Sequence, residues 1–212
     1  MAETGKTPAG TGTESQLPQE SRSERIKTII KELNRQIVHV LSGIAILFLL
    51  WNFGRDWLII FLIAFTVFGL CFLYLRRFAT LSIAEDFLGL MERSRFDMGP
   101  LYYAAGLLFA ASLISNTNAL SAVIVILALG DGFSTMVGKV FGKHRLPYNK
   151  GKSVEGFVAF FVTAILPAYI FIGWIAVPLA VIAAFLESIE IGIDDNLVIT
   201  VPLVIVMYLL RI

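Results

Sequence analysis

Long stretches without a single charged residue dominate this sequence. No Asp, Glu, Lys or Arg lies between Arg35 and Arg55, between Asp97 and Asp131, or between Glu155 and Glu187. About 20 apolar residues are enough for a helix to cross a bilayer. Of the 212 residues, 57% are hydrophobic and only 16% are charged, which is too few charges for a typical water-soluble domain. The chain is therefore predicted to be an all-α, polytopic integral membrane helical bundle.

Breaks within the longer stretches indicate about seven transmembrane helices. Turn-like polar residues occupy positions 115–118, and a second break is predicted near Gly173 and Trp174. The predicted helices cover residues 37–53, 57–75, 100–114, a segment beginning at Ala119, two segments between Glu155 and Glu187, and residues 196–210. Six helices remain an alternative, because the third, sixth and seventh segments are short.

The ends of these helices differ in charge. Five basic residues precede the first helix: Arg22, Arg25, Lys27, Lys31 and Arg35. Basic residues also follow the second and fourth helices, whereas the connections after the first, third and fifth helices are short and nearly uncharged. Because cytoplasmic loops carry the excess of Lys and Arg, the N-terminus is predicted to be cytoplasmic. Residues 1–21 are rich in Gly, Thr, Pro and Ser and are predicted to be a disordered tail. Cys71, within an apolar run, is expected to be a buried thiol.

Two groups of polar residues lie within the predicted helices. Glu32, Arg35 and His39 share one helical face at the entry to the first helix. Interfacial anchoring for Arg35 and a hydrogen-bonded interior position for His39 are the structural alternatives to a functional role. Asp131 stands between two glycines in the fourth helix, where an isolated carboxylate would cost about 2.5–3.5 kcal/mol. A functional role is favoured over a structural one for Asp131, because intramembrane acids usually mark functional sites.

A basic, glycine-rich loop follows the fourth helix. Its cations are Lys139, Lys143, Lys150 and Lys152, and Ser153 is placed to cap the next helix. A helix start is a natural seat for phosphate, and lysines add charge-assisted hydrogen bonds. A loop that only follows the charge rule or touches anionic lipid is the alternative. A P-loop is excluded, because Leu146 stands where that motif needs glycine.

Four acidic residues precede the last helix, namely Glu187, Glu190, Asp194 and Asp195. Carboxylate clusters of this kind suit Mg²⁺ that also contacts substrate phosphates; a solvated acidic loop is the alternative. The predicted topology brings the acids, the basic loop and His39 to one membrane boundary. Phosphoryl or nucleotidyl transfer to or from a lipid needs this combination of groups.

The order of these motifs resembles the polyprenol kinase family, which contains dolichol, phytol and CTP-dependent diacylglycerol kinases. The specific part is Gly130-Asp131-Gly132, then Gly138, Gly142-Lys143, and Asn149-Lys150-Gly151-Lys152-Ser153-x-Glu155-Gly156. Arg35-(x)3-His39 and Glu187-(x)2-Glu190-(x)3-Asp194-Asp195-Asn196 are similar to its two ends. The resemblance covers about residues 31–210 and makes residues 22–212 a transmembrane catalytic domain.

The resemblance implies a kinase that moves the γ-phosphate of a nucleoside triphosphate, commonly CTP, onto a lipid hydroxyl with Mg²⁺. The expected catalytic residues are Asp131, His39 and Lys152. The expected nucleotide and phosphate ligands are Arg35, Lys139, Lys143, Lys150, Gly151, Lys152, Ser153 and Gly156. The expected metal ligands are Asp131, Glu155, Glu187, Glu190, Asp194 and Asp195.

Two alternatives remain open. A phosphatidate cytidylyltransferase has a similar basic loop, but its closing His-containing motif is absent, since no His follows His144. A small transporter would need polar residues on both sides of the membrane. A polyprenol, a phytol-like alcohol and diacylglycerol all remain candidate acceptors, and no nucleic acid is expected as a partner. The oligomeric state is open, a homo-oligomer included. A prokaryotic plasma membrane is the expected location, or the endoplasmic reticulum for a eukaryotic chain.

Overall fold

Helices form all the regular elements that the computed structural model describes, which covers residues 22–76 and 98–212. Two elements depart from the α-helix. Residues 126–131 form a π-helix inside the long helix Thr117–Phe141, and residues 173–175 form a 3₁₀ turn. The helices are α1 (Arg22–Phe53), α2 (Arg55–Arg76), α3 (Gly99–Leu113), α4 (Thr117–Phe141), α5 (Val154–Ile172), α6 (Ala176–Ser188) and α7 (Asp195–Leu209).

Helices occur where the sequence predicts them, but the count of about seven spans is not confirmed. Four helical stretches are long and apolar enough to cross a membrane: Ile26–Phe53, Arg55–Arg76, Thr117–Phe141 and Val154–Ser188. The last of these joins α5 and α6 through the turn at Gly173, and α3 and α7 are shorter apolar helices. The predicted tail and most of the loop between α2 and α3 lie outside the described residues.

The helix α4 forms the centre of the bundle and α2 lies at its edge. In the most apolar 18-residue stretch of each helix, 72% of the residues are buried in α4 but only 11% are buried in α2. Large apolar side chains of α2 face outward, among them Phe68, which is 70% exposed. Cys71 is likewise exposed, so the expectation of a buried thiol is wrong. An apolar outer surface of this kind suits lipid contact.

Small residues let α4 approach α5 closely. Ser134, Gly138 and Gly142 recur every four residues along α4 and face the start of α5. A Cβ atom at Gly156 would lie 2.9 Å from the Ser134 carbonyl oxygen and 3.3 Å from the Gly138 Cα. Repeats of small residues at this spacing are the usual means of close helix packing in membranes. The basic loop between α4 and α5 is thereby held against α4.

The π-helix in α4 contains the first two residues of the Gly130-Asp131-Gly132 motif. It ends at Asp131, and such bulges often occur at functional sites. The carbonyl of Leu129 accepts a hydrogen bond from Thr163 Oγ1 at 3.2 Å. On the other side of α4, a Cβ atom at Gly132 would lie 2.5 Å from Val40 Cγ2. The glycine beside Asp131 therefore allows α1 to pack directly against this part of α4.

Candidate active site

Three carboxylates from three helices meet beside the π-helix. Asp131 of α4, Glu187 of α6 and Asp195 of α7 each offer an oxygen, and these oxygens lie within 4.8 Å of one another. Asp131 and Glu187 are buried, and Asp195 is partly exposed. Like charges at this distance repel one another strongly unless a cation lies between them.

Lys152 supplies one such cation from the basic loop. Its Nζ lies 2.6 Å from Glu187 Oε1 and 3.0 Å from Asp195 Oδ2. Burial lowers the pKa of Lys152, but Glu187, Asp195 and Asp131 together outweigh that effect, so the pKa is raised above its ordinary value. Ser134 Oγ donates a further hydrogen bond to Glu187 Oε1 at 2.8 Å. Lys152 therefore remains a cation at any physiological pH.

The loop that carries Lys152 is fixed at both ends. Ser153 Oγ accepts a hydrogen bond from the Gly156 amide at 3.1 Å, which confirms that Ser153 caps the following helix. Asn149 donates from Nδ2 to the Ser188 carbonyl at 3.0 Å and accepts from the Gly151 amide at 2.9 Å. These bonds attach the loop to the end of α6, one residue beyond Glu187.

A polar cavity of about 350 Å³ opens over this cluster. Its charged lining, within the described part of the chain, comprises three cations and five carboxylates: Arg35, Lys139, Lys152, Asp131, Glu187, Glu190, Asp194 and Asp195. Gly151, Ser153 and Gly156 also contribute to the wall. Because acids outnumber bases, a polyphosphate anion would be repelled unless divalent cations accompanied it.

Three residues predicted for this site lie elsewhere. Lys143 and Lys150 are exposed and do not line the cavity. Glu155 Oε1 pairs with His144 Nδ1 at 2.7 Å, and its carboxylate also accepts from the His144 amide. Glu155 therefore orders the loop and is not part of the carboxylate cluster.

A second cavity, apolar and about 750 Å³ in volume, lies between α1, α2 and α3. Four phenylalanines of α2 line it: Phe61, Phe65, Phe68 and Phe72. Its polar residues include His39, Ser42 and Tyr103. Arg35 and Asn196 line both cavities, so the two spaces meet at these side chains.

His39 and Asp131 face each other across this boundary. His39 lines the apolar cavity and Asp131 lines the polar one. The distance from His39 Nε2 to Asp131 Oδ2 is 3.7 Å, which is too long for a hydrogen bond. The His39 ring packs on Tyr103 with centroids 4.4 Å apart. The predicted pair of catalytic residues is thus brought together at the meeting point of the two cavities.

Two residues of the site received no role from the sequence. Ser134 lies three positions after Asp131, and this i, i+3 spacing on one helical face was the available signal. Asn196 is 94% buried and belongs to the acidic motif at the start of α7. Its side-chain amide is uncharged, so the charge pattern of the sequence did not single it out.

The carboxylate cluster fits a divalent metal ion. Its donors are hard oxygen atoms, and an ammonium group already lies among them. Mg²⁺ typically binds one or two protein carboxylates together with substrate phosphates. Asp131, Glu187 and Asp195 are the described residues able to hold it.

Similar proteins come from archaea and from plant chloroplasts. An uncharacterized protein of Methanocaldococcus jannaschii is 38% identical over 171 residues, which cover 79% of this chain and 88% of that protein. A probable chloroplastic phytol kinase of Glycine max is 32% identical over 200 residues, covering 82% of this chain and 60% of that protein. A chloroplastic farnesol kinase of Arabidopsis thaliana is 32% identical over 137 residues, covering 56% and 45%.

The chain spans less than two thirds of the length of these two plant kinases. No protein-family model matches it. No solved structure matches it either.

Proposed function

We propose that the chain belongs to the polyprenol kinase family, which its relatives named phytol kinase and farnesol kinase support, and that it is a CTP-dependent kinase of a prenyl alcohol. One observation carries the proposal: a polar cavity of about 350 Å³ with clustered acids and a lysine adjoins an apolar cavity of about 750 Å³. A nucleotide fits the first and an isoprenoid chain the second. The two would then meet at His39 and Asp131.

The proposed reaction forms one phosphorus–oxygen bond and breaks another. The acceptor's hydroxyl oxygen attacks the γ-phosphorus, the bond to the β-phosphate oxygen breaks, and the nucleoside diphosphate leaves. The hydroxyl proton passes to the His39–Asp131 pair, which faces both cavities. The products are the alkyl phosphate, the nucleoside diphosphate and a proton.

Charge and position are what the protein contributes to such a reaction. Lys152 and Lys139 lie where they can bind phosphate oxygens, with Arg35 at the boundary of the cavities. Asp131, Glu187 and Asp195 would hold Mg²⁺, which neutralises phosphate charge as it develops. The excess of carboxylates in the lining makes the nucleotide dependent on that ion.

Three finer parts of the proposal are the acceptor, the nucleotide and the side of the membrane. Phytol and farnesol appear in the names of the plant relatives, which favours an isoprenoid alcohol over diacylglycerol. CTP is proposed from the family resemblance. The basic residues in the first part of α1, up to Arg35, favour the cytoplasmic face.

The test is a transfer assay on the purified protein in lipid, with Mg²⁺ and either γ-³²P- or α-³²P-labelled CTP. The acceptors are farnesol, phytol, a long polyprenol, diacylglycerol and phosphatidate, and γ-³²P-labelled ATP, GTP and UTP are tested in parallel. Label in a prenyl alcohol from the γ position alone is the expected result. Label from the α position, with phosphatidate as acceptor, would instead identify a cytidylyltransferase. No transfer from any nucleotide would favour a transporter.

A further inference from the structure

The side-chain amide of Asn196 has a fixed orientation. Its Nδ2 lies 2.7 Å from Asp194 Oδ1, and its backbone amide lies 3.0 Å from the same oxygen. An ionised carboxylate only accepts hydrogen bonds, so the NH₂ group must face Asp194. The amide oxygen of Asn196 is then forced to point the other way.

That oxygen has no partner in the described part of the chain. Asn196 Oδ1 is buried and makes no hydrogen bond with residues 22–76 or 98–212. Buried acceptors without a partner are rare in folded proteins and call for an explanation. A bound molecule with a hydrogen to donate would satisfy this atom.

The position of Asn196 indicates what that molecule is. Asn196 lines both the apolar and the polar cavity, and among the described residues only Arg35 does the same. A group that reaches it from the apolar cavity is the polar end of a lipid chain. His39 Nε2, on the same apolar cavity, is a second buried atom that makes no hydrogen bond with the described residues.

Resting on the function proposed above, we propose that Asn196 Oδ1 accepts a hydrogen bond from the acceptor's hydroxyl group. A primary alcohol has the hydrogen that this atom needs while no nucleotide is bound, and rotation about its C–O bond then turns that hydrogen towards the His39–Asp131 pair for transfer. The alkyl phosphate dianion has none, so the same contact is lost after transfer and the product is released more readily. Asn196 is thus a substrate-binding residue that selects for a free alcohol, and Asp194 orients it.

The test compares two ligands that differ only in the polar group at the end of the chain. The probes are phytanol, the saturated phytol, and 1-fluorophytane, in which fluorine replaces the hydroxyl but carries no hydrogen. Each displaces tritiated phytanol from the wild-type protein in lipid, without nucleotide. We expect the alcohol to bind about tenfold more tightly, the scale of one buried hydrogen bond. Equal affinity of the two ligands would overturn the proposal without any variant.

Variants assign the preference to Asn196. In Asn196→Leu, and in the smaller Asn196→Ala, the alcohol and the fluoride should bind equally. The matched control is Thr200→Val, one turn further along α7. Thr200 Oγ1 is also buried without a partner but lines neither cavity, so this variant should keep the tenfold preference.

Failure of this inference can be told from failure of the proposed function. If wild-type protein transfers phosphate to prenyl alcohols but Asn196→Leu keeps the tenfold preference, the hydroxyl is recognised elsewhere and the inference alone is wrong. If wild-type protein shows no transfer to any alcohol, the proposed function is wrong. Loss of preference in both Asn196 variants, with transfer in the wild type, supports both.

Discussion

Lys152 is the residue at which the basic loop meets the acidic cluster. It is paired with Glu187 and Asp195 while its side chain is only 26% exposed. Removing one partner of a largely buried ion pair leaves uncompensated charge and is strongly destabilising. The lysine that is proposed to bind phosphate therefore also stabilises the ligand-free site.

Lys152→Met should lower the free energy of unfolding by about 2 kcal/mol, because Glu187 and Asp195 lose their cation. Millimolar Mg²⁺ should raise the melting temperature of this variant more than that of the wild type, since the ion then meets no competing ammonium. The measurement is thermal unfolding with and without Mg²⁺. Lys150→Met is the control, because Lys150 is exposed and outside the cavity. An equal Mg²⁺ shift in Lys152→Met and wild type would contradict this account.

Asp131→Asn tests the buried carboxylate without changing its size. We expect phosphoryl transfer to fall at least about 100-fold, since the variant loses a charge that holds metal and receives a proton. The melting temperature should stay within a few degrees of the wild type, because Asp131 makes no short ion pair. Asp56→Asn, at an exposed position, serves as the control. Activity close to wild type would remove Asp131 from the proposed mechanism.

At the scale of elements, close packing at glycines decides which side chains can meet. The segment of α4 around Asp131 contacts α1 through Gly132, and the later segment around Gly138 contacts the start of α5 through Gly156. Gly130 leaves room for Phe160, whose ring a Cβ atom there would approach to 2.8 Å. The π-helix and these small residues together set where Asp131 lies relative to α1.

Gly132→Ala should separate α1 from α4, because the added Cβ would lie 2.5 Å from Val40 Cγ2. Overpacking of this kind costs about 1–3 kcal/mol, and here it also moves His39 away from Asp131. We expect reduced stability and reduced transfer, measured by unfolding and by the kinase assay. The double variant Gly132→Ala with Val40→Ala should recover both, as a coupled pair does. If Val40→Ala instead lowers stability further, the contact between Val40 and the Cβ added at position 132 is not the cause of the loss.

At the scale of the whole molecule, two cavities of opposite character share one boundary. The polar cavity is formed by residues of α1 and α4, the loop before α5, the end of α6 and the start of α7, and the apolar cavity lies between α1, α2 and α3. Burying a prenyl chain stabilises the complex in proportion to the apolar area removed from lipid or water. The size of the apolar cavity should therefore limit the acceptor.

Ala45→Phe should narrow the apolar cavity that Ala45 lines. We expect the KM for phytol to rise about tenfold, the scale of a few displaced methylene groups, while the KM for CTP is unchanged. Farnesol, with a shorter chain, should be affected less. Ile44→Phe is the matched control, because Ile44 is exposed on the same helix and does not line the cavity. Equal effects of the two substitutions would place the acceptor elsewhere.

The two ends of the bundle should face opposite sides of the membrane. In a Cys71→Ala background, Lys150→Cys lies near the proposed site and Trp174→Cys lies at the turn between α5 and α6. A membrane-impermeant maleimide should label Lys150→Cys only in inside-out vesicles and Trp174→Cys only in right-side-out vesicles. Both positions are exposed, so labelling reports sidedness. The reverse pattern would place the N-terminus outside.

The sequence by itself determined the helical class and the approximate position of each helix in the described part of the chain. Uncharged stretches bounded by charges are enough for that, because a bilayer requires backbone hydrogen bonds to be satisfied within each segment. The start of α1 at Arg22 was missed, since polar helix formers outside the bilayer leave no hydropathy signal. Ser153 was predicted as a cap because capping depends on local sequence alone.

Only the tertiary structure decided which charged residues share a site. Asp131, Lys152, Glu187 and Asp195 lie far apart in the chain, and the packing of four elements brings their charges together. Glu155 and Lys143 have the same residue types and belong to the same motif, yet they lie outside the cluster. Charge pattern is a one-dimensional property, whereas distance between side chains depends on helix contacts such as those at Gly132 and Gly156. For the same reason the sequence could not show that Asn196 lies at the boundary of two cavities.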